Sequence, residues 1–379
     1  MVEKQKQEMR CSSVIVIGGD HYNTLWLVRS LGFCNISPDL IIFEKIRKSF
    51  VCHSRYVNKY MLISDETELL STLLNNSSSE SRLILSSSDL VTSILDANYE
   101  ILRNNRYILS NVGEKCNGIL YWMNKANILE IASRAGLNIT HSKSVSIAKG
   151  KVGEIIVTYP CLLKPQNSLY GHKTDFRICY NRSDLDSAIE SLRDSCNEVL
   201  IQDYLDRDFE FVVNGIRYNG QHIIPGVIRK IKVGEKIYKM GMTTIAFSDP
   251  NVDKYIDVSR VKKMMDIIGY EGIYSIEFIV SKGVAYLLEI NFRSDATLYI
   301  STAGGCNLPA LLYNLVLGMK IKDKHYSRMA YGMAEISYMK ELPWKKPWKI
   351  FIDLCKIDIF SIFMLKDIKP FFYKFYSAV

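Results

Sequence analysis

The chain has 379 residues, a hydrophobic content of 48%, a charged content of 23% and a formal net charge of +8. Such a length exceeds one small core and predicts two or three domains, and the composition is that of a folded globular protein, which excludes a disordered or fibrous chain. The mild positive balance suits a small anionic substrate, while basic residues spread along the whole chain argue against nucleic acid as a partner.

Nine cysteines, an odd number with no Cys-x-x-Cys pair, read as reduced thiols of a cytoplasmic protein without a zinc site. No apolar run reaches the length of a membrane span, and the polar start MVEKQKQEMR is not a signal peptide. Residues 1–12 are read as a tail. The six histidines are scattered, and none is marked as a base.

In chain order, SSVIVIGG predicts a buried strand feeding the helix DHYNTLWLVRSLG, and LIIFEK, YVNKYMLI and RLILSSSD predict three more strands. With helical stretches such as ETELLSTLLN between them, residues 13–111 read as a parallel doubly wound sheet. Ligands of such sheets sit beyond the carboxyl ends of the strands. Asp20, Arg55 and Asp89 are therefore candidate substrate contacts. Asp20 and Asp89 read equally well as helix caps, and Arg55 as a surface charge. Gly18-Gly19 lacks the further glycine of a dinucleotide fingerprint, which counts against a nicotinamide-dependent oxidoreductase.

From Asn111 the pattern becomes α+β. ILYWMNKANILEIASRAG predicts one helix closed by Gly136, IIVTYPCLLKP a strand pair interrupted by Pro160, and NSLYGHKTDFRICY a polar loop entering a strand. A helix, DLDSAIESLRDSC, and a strand, VLIQDYL, come next. The stretch IYSIEFIVSKGVAYLLEINFRSDAT then predicts a hairpin with the three-residue turn Ser281-Lys282-Gly283. Alternation puts Ile276, Phe278, Val280, Val284, Tyr286, Leu288 and Ile290 on a core face, and Glu277, Glu289, Asn291 and Arg293 on the other. Glu277 and Glu289 then face each other directly at about 5 Å or diagonally at roughly 7–8 Å. Two carboxylates that close repel unless a divalent cation lies between them. With the Asn291 carbonyl the set is all oxygen, which suits Mg²⁺ carrying nucleotide phosphates, and Arg293 is placed to hold a phosphate. Spacing alone leaves a solvated surface hairpin equally open.

Taken in order, Lys125, Lys164 within LLKP, the segment IQDYLDRDFEFVVNG and the segment EFIV…LLEINFRSDAT resemble the ATP-grasp superfamily. The chain resembles its carboxylate–amine ligases, and GGDHYNTLWLVRSLG with HSRYV is similar to the branch of D-aspartate ligase and the carbamoyl phosphate synthetase large subunit. The resemblance covers roughly residues 13–320 and implies an α/β fold. A Rossmann-like N-terminal (pre-ATP-grasp) domain, 13–111, is followed by a two-lobed α+β ATP-grasp domain, 112–320, with a central lobe near 112–198 and a C-terminal lobe near 199–320.

The resemblance implies residue roles as well. Lys125 and Lys164 reach ATP phosphates, the main chain of Gln202, Asp203, Tyr204 and Leu205 reads adenine, and Glu210 takes the ribose. Glu277, Glu289 and Asn291 hold Mg²⁺ or Mn²⁺, while Arg229 and Arg293 are catalytic charges beside the transferred phosphoryl group. The loop from Gln166 to Lys173 would cover the phosphates, with only Gly171 where the family is richer in glycine. Gly304 and Gly305 would open a helix N-terminus facing the acceptor. The implied reaction joins a small-molecule carboxylate to an amine through an acyl phosphate, releasing ADP and phosphate. A non-catalytic ATP-binding module on the same fold is the alternative, with the oxidoreductase behind it, and a homodimer is left open. Residues 321–379 form an extension whose stretch from Trp344 is crowded with aromatics and lysines. It is expected to pack on the core, with a partner surface or an anionic membrane as the competing readings.

Overall fold

The computed structural model describes residues 11–76, 78–148, 155–167, 176–231, 245–322, 324–340 and 347–376. The first of its sheets has five parallel strands in the spatial order Tyr60–Ile63, Asp39–Phe43, Cys11–Gly18, Ser81–Ser86, Tyr107–Ile108. Alternate residues of its central strand go to opposite faces. Ile15 and Ile17 pack with Leu69, Leu73, Val91 and Ile94 from two helices, while Val14 and Val16 pack with Leu25 and Val28 from the helix Tyr22–Gly32. Burial on both faces is why these strands read as continuous apolar runs. Asp20 does not cap the helix: the Asn23 N–H donates to His21 Nδ1 at 3.1 Å.

The second sheet is antiparallel, in the order Arg177–Cys179, Cys161–Pro165, Glu198–Asp203, Ser142–Ser146, and the helix Arg182–Leu192 covers it. The expected strand pair around Pro160 supplies one strand only, because residues 155–158 are irregular and pairing begins at Cys161. A proline offers no ladder N–H there. The strand Glu198–Asp203 belongs to this sheet, so the chain leaves it after Asp203.

The third sheet runs Ile359–Phe360, Tyr331–Met333, Ile245–Asp249, Val227–Ile231, Phe209–Tyr218, Tyr270–Ser281, Val284–Asn291, Asn138–Ile139. One face buries Phe211, Val213, Ile276, Phe278 and Leu287 against the helices Lys125–Ala135 and Val258–Ile268. The other buries Val212 and Ile228 with Leu298, Ile300, Leu308 and Leu312. The single helix expected before Gly136 is two, Gly118–Trp122 and Lys125–Ala135, because the Asn124 side chain caps the second by accepting from the Ala126 N–H at 2.9 Å.

The hairpin differs from its expected register in two compensating ways. Ser281 pairs with Val284, so the turn has two residues, and Lys282 (φ 50°) and Gly283 (φ 75°) both have the positive φ of a type I′ turn. Phe278 therefore pairs with Leu287; a bulge then shifts the ladder so that Glu277 pairs with Glu289 and Ile276 with Ile290. The core face thus carries Leu287 and Ile290, while Val284 is exposed and Tyr286 and Leu288 are half-buried. Those last three residues were expected in the core; the short turn displaces them.

The C-terminal segment comprises the helix Pro347–Cys355, the strand Ile359–Phe360 and the helix Lys369–Tyr376. It is tied to the first sheet's helix by a buried ion pair, Arg29 Nε to Asp367 Oδ2 at 2.9 Å. Trp26 Nε1 donates to the Ser361 carbonyl at 2.6 Å, and the Glu335 carboxylate accepts the N–H groups of Ser361, Ile362 and Phe363. Among the described residues no helix is long and apolar enough to cross a membrane.

Candidate active site

One face of the third sheet carries a charged row. Glu210 pairs across strands with Ile279 and with Lys230, and two positions on, Val212 pairs with Glu277, which pairs with Glu289. Paired residues share a face, so Glu210, Lys230, Glu277 and Glu289 lie together. Lys230 Nζ donates to Glu277 Oε2 at 2.5 Å and to Glu210 Oε2 at 3.4 Å, and Arg207 also binds Glu210.

Arg229 is not among them. It pairs with Phe211 and Phe247, which puts it on the opposite face with its guanidinium 4.2 Å from the Phe209 ring centroid. The basic residue of the charged face is its neighbour Lys230, which the sequence reading missed. Strand alternation counted from Glu210 was the signal that could have found it.

Two lysines from other elements feel the charge of Glu289. Lys125 opens the helix Lys125–Ala135, and its Nζ donates to the Pro165 carbonyl at 3.2 Å. Its main-chain N–H donates to the Gln166 carbonyl at 3.0 Å, which fastens that helix to the strand bearing Lys164. Burial lowers the Lys125 pKa, opposed by the negative charges of Glu289 and Asp89. Lys164 falls to about 8, through burial first and then the neighbouring Lys125 charge, with Glu289 opposing. Two lysines near one another that share the Glu289 charge are an arrangement suited to phosphate oxygens.

Arg293 and Asn291 continue the row. Arg293 Nη2 donates to Asn291 Oδ1 at 3.1 Å, and Nε and Nη2 grip the Asp89 carboxylate at 2.7 and 2.6 Å. Asp89 holds the Arg293 pKa above its ordinary value against the lowering effect of burial. Asp89 is thus drawn into the site from the first sheet's domain, at the first turn of a helix whose cap position is Ser88.

The remaining candidates lie elsewhere. Asp20 Oδ1 accepts from Ser49 Oγ at 2.6 Å, with Lys374 Nζ 4.0 Å from Oδ2. The Arg55 N–H donates to Asp367 Oδ1 at 2.8 Å and its guanidinium to the Lys366 carbonyl, so both residues serve the docking of the C-terminal segment. Gly304 and Gly305 end a helix where the expectation was a beginning: their N–H groups donate to the carbonyls of Ile300 and Thr302, closing Leu298–Ala303. The next helix, Leu308–Val316, starts on an Asn307 cap. A glycine pair is as natural at a helix end, where Gly305 has φ 95°, as in an anion loop.

At the strand expected to read adenine, Gln202 Nε2 donates to Thr140 Oγ1 at 2.8 Å, and the N–H groups of Asp203 and Tyr204 donate to the carbonyls of His141 and Pro160. Leu205 follows, half-buried, where pairing has stopped. Of the expected phosphate cover, residues 168–175, with Gly171, lie outside the described residues.

The donors present fit a hard divalent cation. Two carboxylates stand on facing positions of neighbouring strands, a carboxamide oxygen lies beyond them, and the Lys230 ammonium already stands in for a cation at Glu277.

No family model matches the chain. In sequence it is similar to the carbamoyl phosphate synthase large chain of Clostridium beijerinckii, 26% identical over 218 residues, which are 56% of this chain and 20% of that protein. The same protein of Clostridium perfringens is 28% identical over 190 residues, 48% of this chain and 17% of the relative. The chain thus matches about a fifth of the length of these relatives. In fold it is similar to L-amino acid ligase from Bacillus licheniformis, with a TM-score of 0.66 and 13% identity over 85% of this chain and 80% of the other. Biotin carboxylase from Campylobacter jejuni gives 0.64 and 14% over 84% and 74%. N5-carboxyaminoimidazole synthetase from Staphylococcus aureus complexed with ADP gives 0.65 and 14% over 90% and 87%. In fold the chain is thus similar to these ligases and carboxylases, and in sequence to carbamoyl phosphate synthase large chains, the likeness that its ordered lysines, hinge strand and acidic hairpin imply.

Proposed function

We propose that the protein is an ATP-dependent ligase that joins a small-molecule carboxylate to an amine through an acyl phosphate, releasing ADP and phosphate. The observation that carries this reading is the convergence on Glu289 of two lysines from separate elements, Lys125 and Lys164, next to the paired Glu277. Cationic side chains beside facing carboxylates suit a nucleotide triphosphate held with a divalent ion, and no nucleophile is required of the protein. Mg²⁺, when bound, neutralises phosphate charge and polarises the transferred phosphoryl group.

In this reading Lys125 and Lys164 hold phosphate oxygens, and Lys230, released from Glu277, brings a third ammonium to the same oxygens. Main-chain groups between Asp203 and Leu205 read the adenine edge, and Glu210 accepts the ribose hydroxyls. Glu277, Glu289 and Asn291 hold the metal. Arg293, oriented by Asp89, steadies the charge that develops on the acyl phosphate.

The test is ADP release measured across pairs of acids and amines, with Glu289→Gln as control. ADP release that needs both an acid and an amine and is lost in Glu289→Gln supports the ligase. ATP binding with no turnover for any pair would support the non-catalytic module instead.

A further inference from the structure

The segment 347–376 has an inner side that is fully engaged and an outer side that is not. In the helix Pro347–Cys355, Trp348, Phe351, Ile352 and Cys355 recur at the spacing of one helical face, and all are exposed, Phe351 at 70%. The opposite face is the one that packs: Ile350 joins a cluster with Tyr338 and Met333, and Tyr338 Oη donates to Asp353 Oδ2 at 2.9 Å. This helix therefore turns an apolar stripe outward, the reverse of an ordinary surface helix. Further along, Leu365 stands 81% exposed, followed by Phe372 and Phe375, also exposed.

Charge decides what the outer side meets. The segment contains three aspartates, and each has a partner on the body of the protein: Asp353 in Tyr338, the exposed Asp358 in the Tyr331 N–H at 2.8 Å and in Arg328, and the buried Asp367 in Arg29. Lys356, Lys366 and Lys369 of the same segment are exposed, and Lys349 is half-buried. A segment that exposes aromatic and aliphatic side chains together with lysines, its aspartates each already paired, complements a surface that is apolar below and negative above.

We infer that the outer side of residues 347–376 docks the protein peripherally on an anionic lipid surface, with Trp348, Phe351 and Leu365 entering the headgroup boundary. Docking is independent of the ATP site, since none of these residues belongs to it.

The experiment is co-sedimentation of the full chain with phosphatidylcholine vesicles, with and without phosphatidylserine, at low and raised salt. Binding is expected only with phosphatidylserine and to weaken as salt rises. Lys366→Glu/Lys369→Glu should lower the partition coefficient by about tenfold or more, and Trp348→Ser/Phe351→Ser should lower it comparably, both variants keeping the wild-type melting temperature. Absence of binding to phosphatidylserine vesicles, or equal binding to neutral ones, would overturn the proposal. So would a concentration-dependent dimer in sedimentation velocity that Trp348→Ser/Phe351→Ser dissociates, because the stripe would then be covered by a second copy.

Discussion

Around Glu289, Lys125 and Lys164 are held close enough for one to lower the pKa of the other, and burial lowers both. Beneath the C-terminal segment, by contrast, Arg29 faces Asp367, the Arg55 N–H meets the same carboxylate, and Asp20 accepts from Ser49. Both regions bury charge: the second sets a guanidinium directly against a carboxylate, while the first sets Lys164 beside a second cation. Two like charges held close together cost folding free energy and suit a site that receives an anionic ligand; a balanced pair holds elements together whether or not a ligand is present. The same contrast separates the sequence candidates that converge from those that serve packing.

The comparison is broken most directly at its balanced end. Asp367→Ala strands the buried Arg29 guanidinium, and a loss of about 3–5 kcal/mol is expected in a denaturant melt. A loss under about 1 kcal/mol, the scale of an exposed pair, would mean that the pairing is not architectural. At the other end, Glu289→Gln should lower ADP release by about 10²-fold, the scale of removing one charge-stabilising group, with the thermal midpoint unchanged. Wild-type turnover in that variant would remove the metal assignment.

Lys164→Ala should raise the ATP concentration at half-maximal rate by roughly tenfold, equivalent to about 1.4 kcal/mol, without lowering the melting temperature. A fall in melting temperature with unchanged ATP affinity would make Lys164 structural. The pH dependence has a definite sign. With the folded pKa lowered to about 8, the unfolded chain binds more protons than the folded one from there up to the ordinary lysine pKa of about 10.4. Lys164 thus adds stability to the ligand-free protein as pH rises through that window. ATP restores the charge, so binding near the lowered pKa should take up protons, read as a dependence of calorimetric heat on buffer ionisation enthalpy. The smallest effect sharpens the register: Lys230→Gln should raise the ATP requirement severalfold, while Arg229→Gln should stay within about twofold, below 0.5 kcal/mol.

Much of this arrangement was legible because strands alternate. Glu289 and Asn291 could be put on one face from period two alone, Glu277 joined them because the bulge cancels the shorter turn, and the doubly wound first sheet showed itself in apolar runs such as SSVIVIGG. Arg229 was misplaced because a basic residue near a motif carries no face until its strand is registered against Glu210. The Asp89–Arg293 grip joins residues 204 positions apart and has no local trace. Gly304 and Gly305 failed for a third reason: the same pair closes one helix or opens another, and only neighbouring backbone bonds decide.

The short turn and the bulge of the hairpin act like two frameshifts that cancel. Near Lys282-Gly283 the ladder runs one residue out of phase with the ladder at Glu277, and one extra residue before Glu289 restores the phase. Deleting Leu288 alone should remove the bulge and leave Glu289 still opposite Glu277. Turn length and bulge are therefore inherited together in a hairpin of this length: without the bulge, Glu289 stays opposite Glu277 only where the turn has three residues.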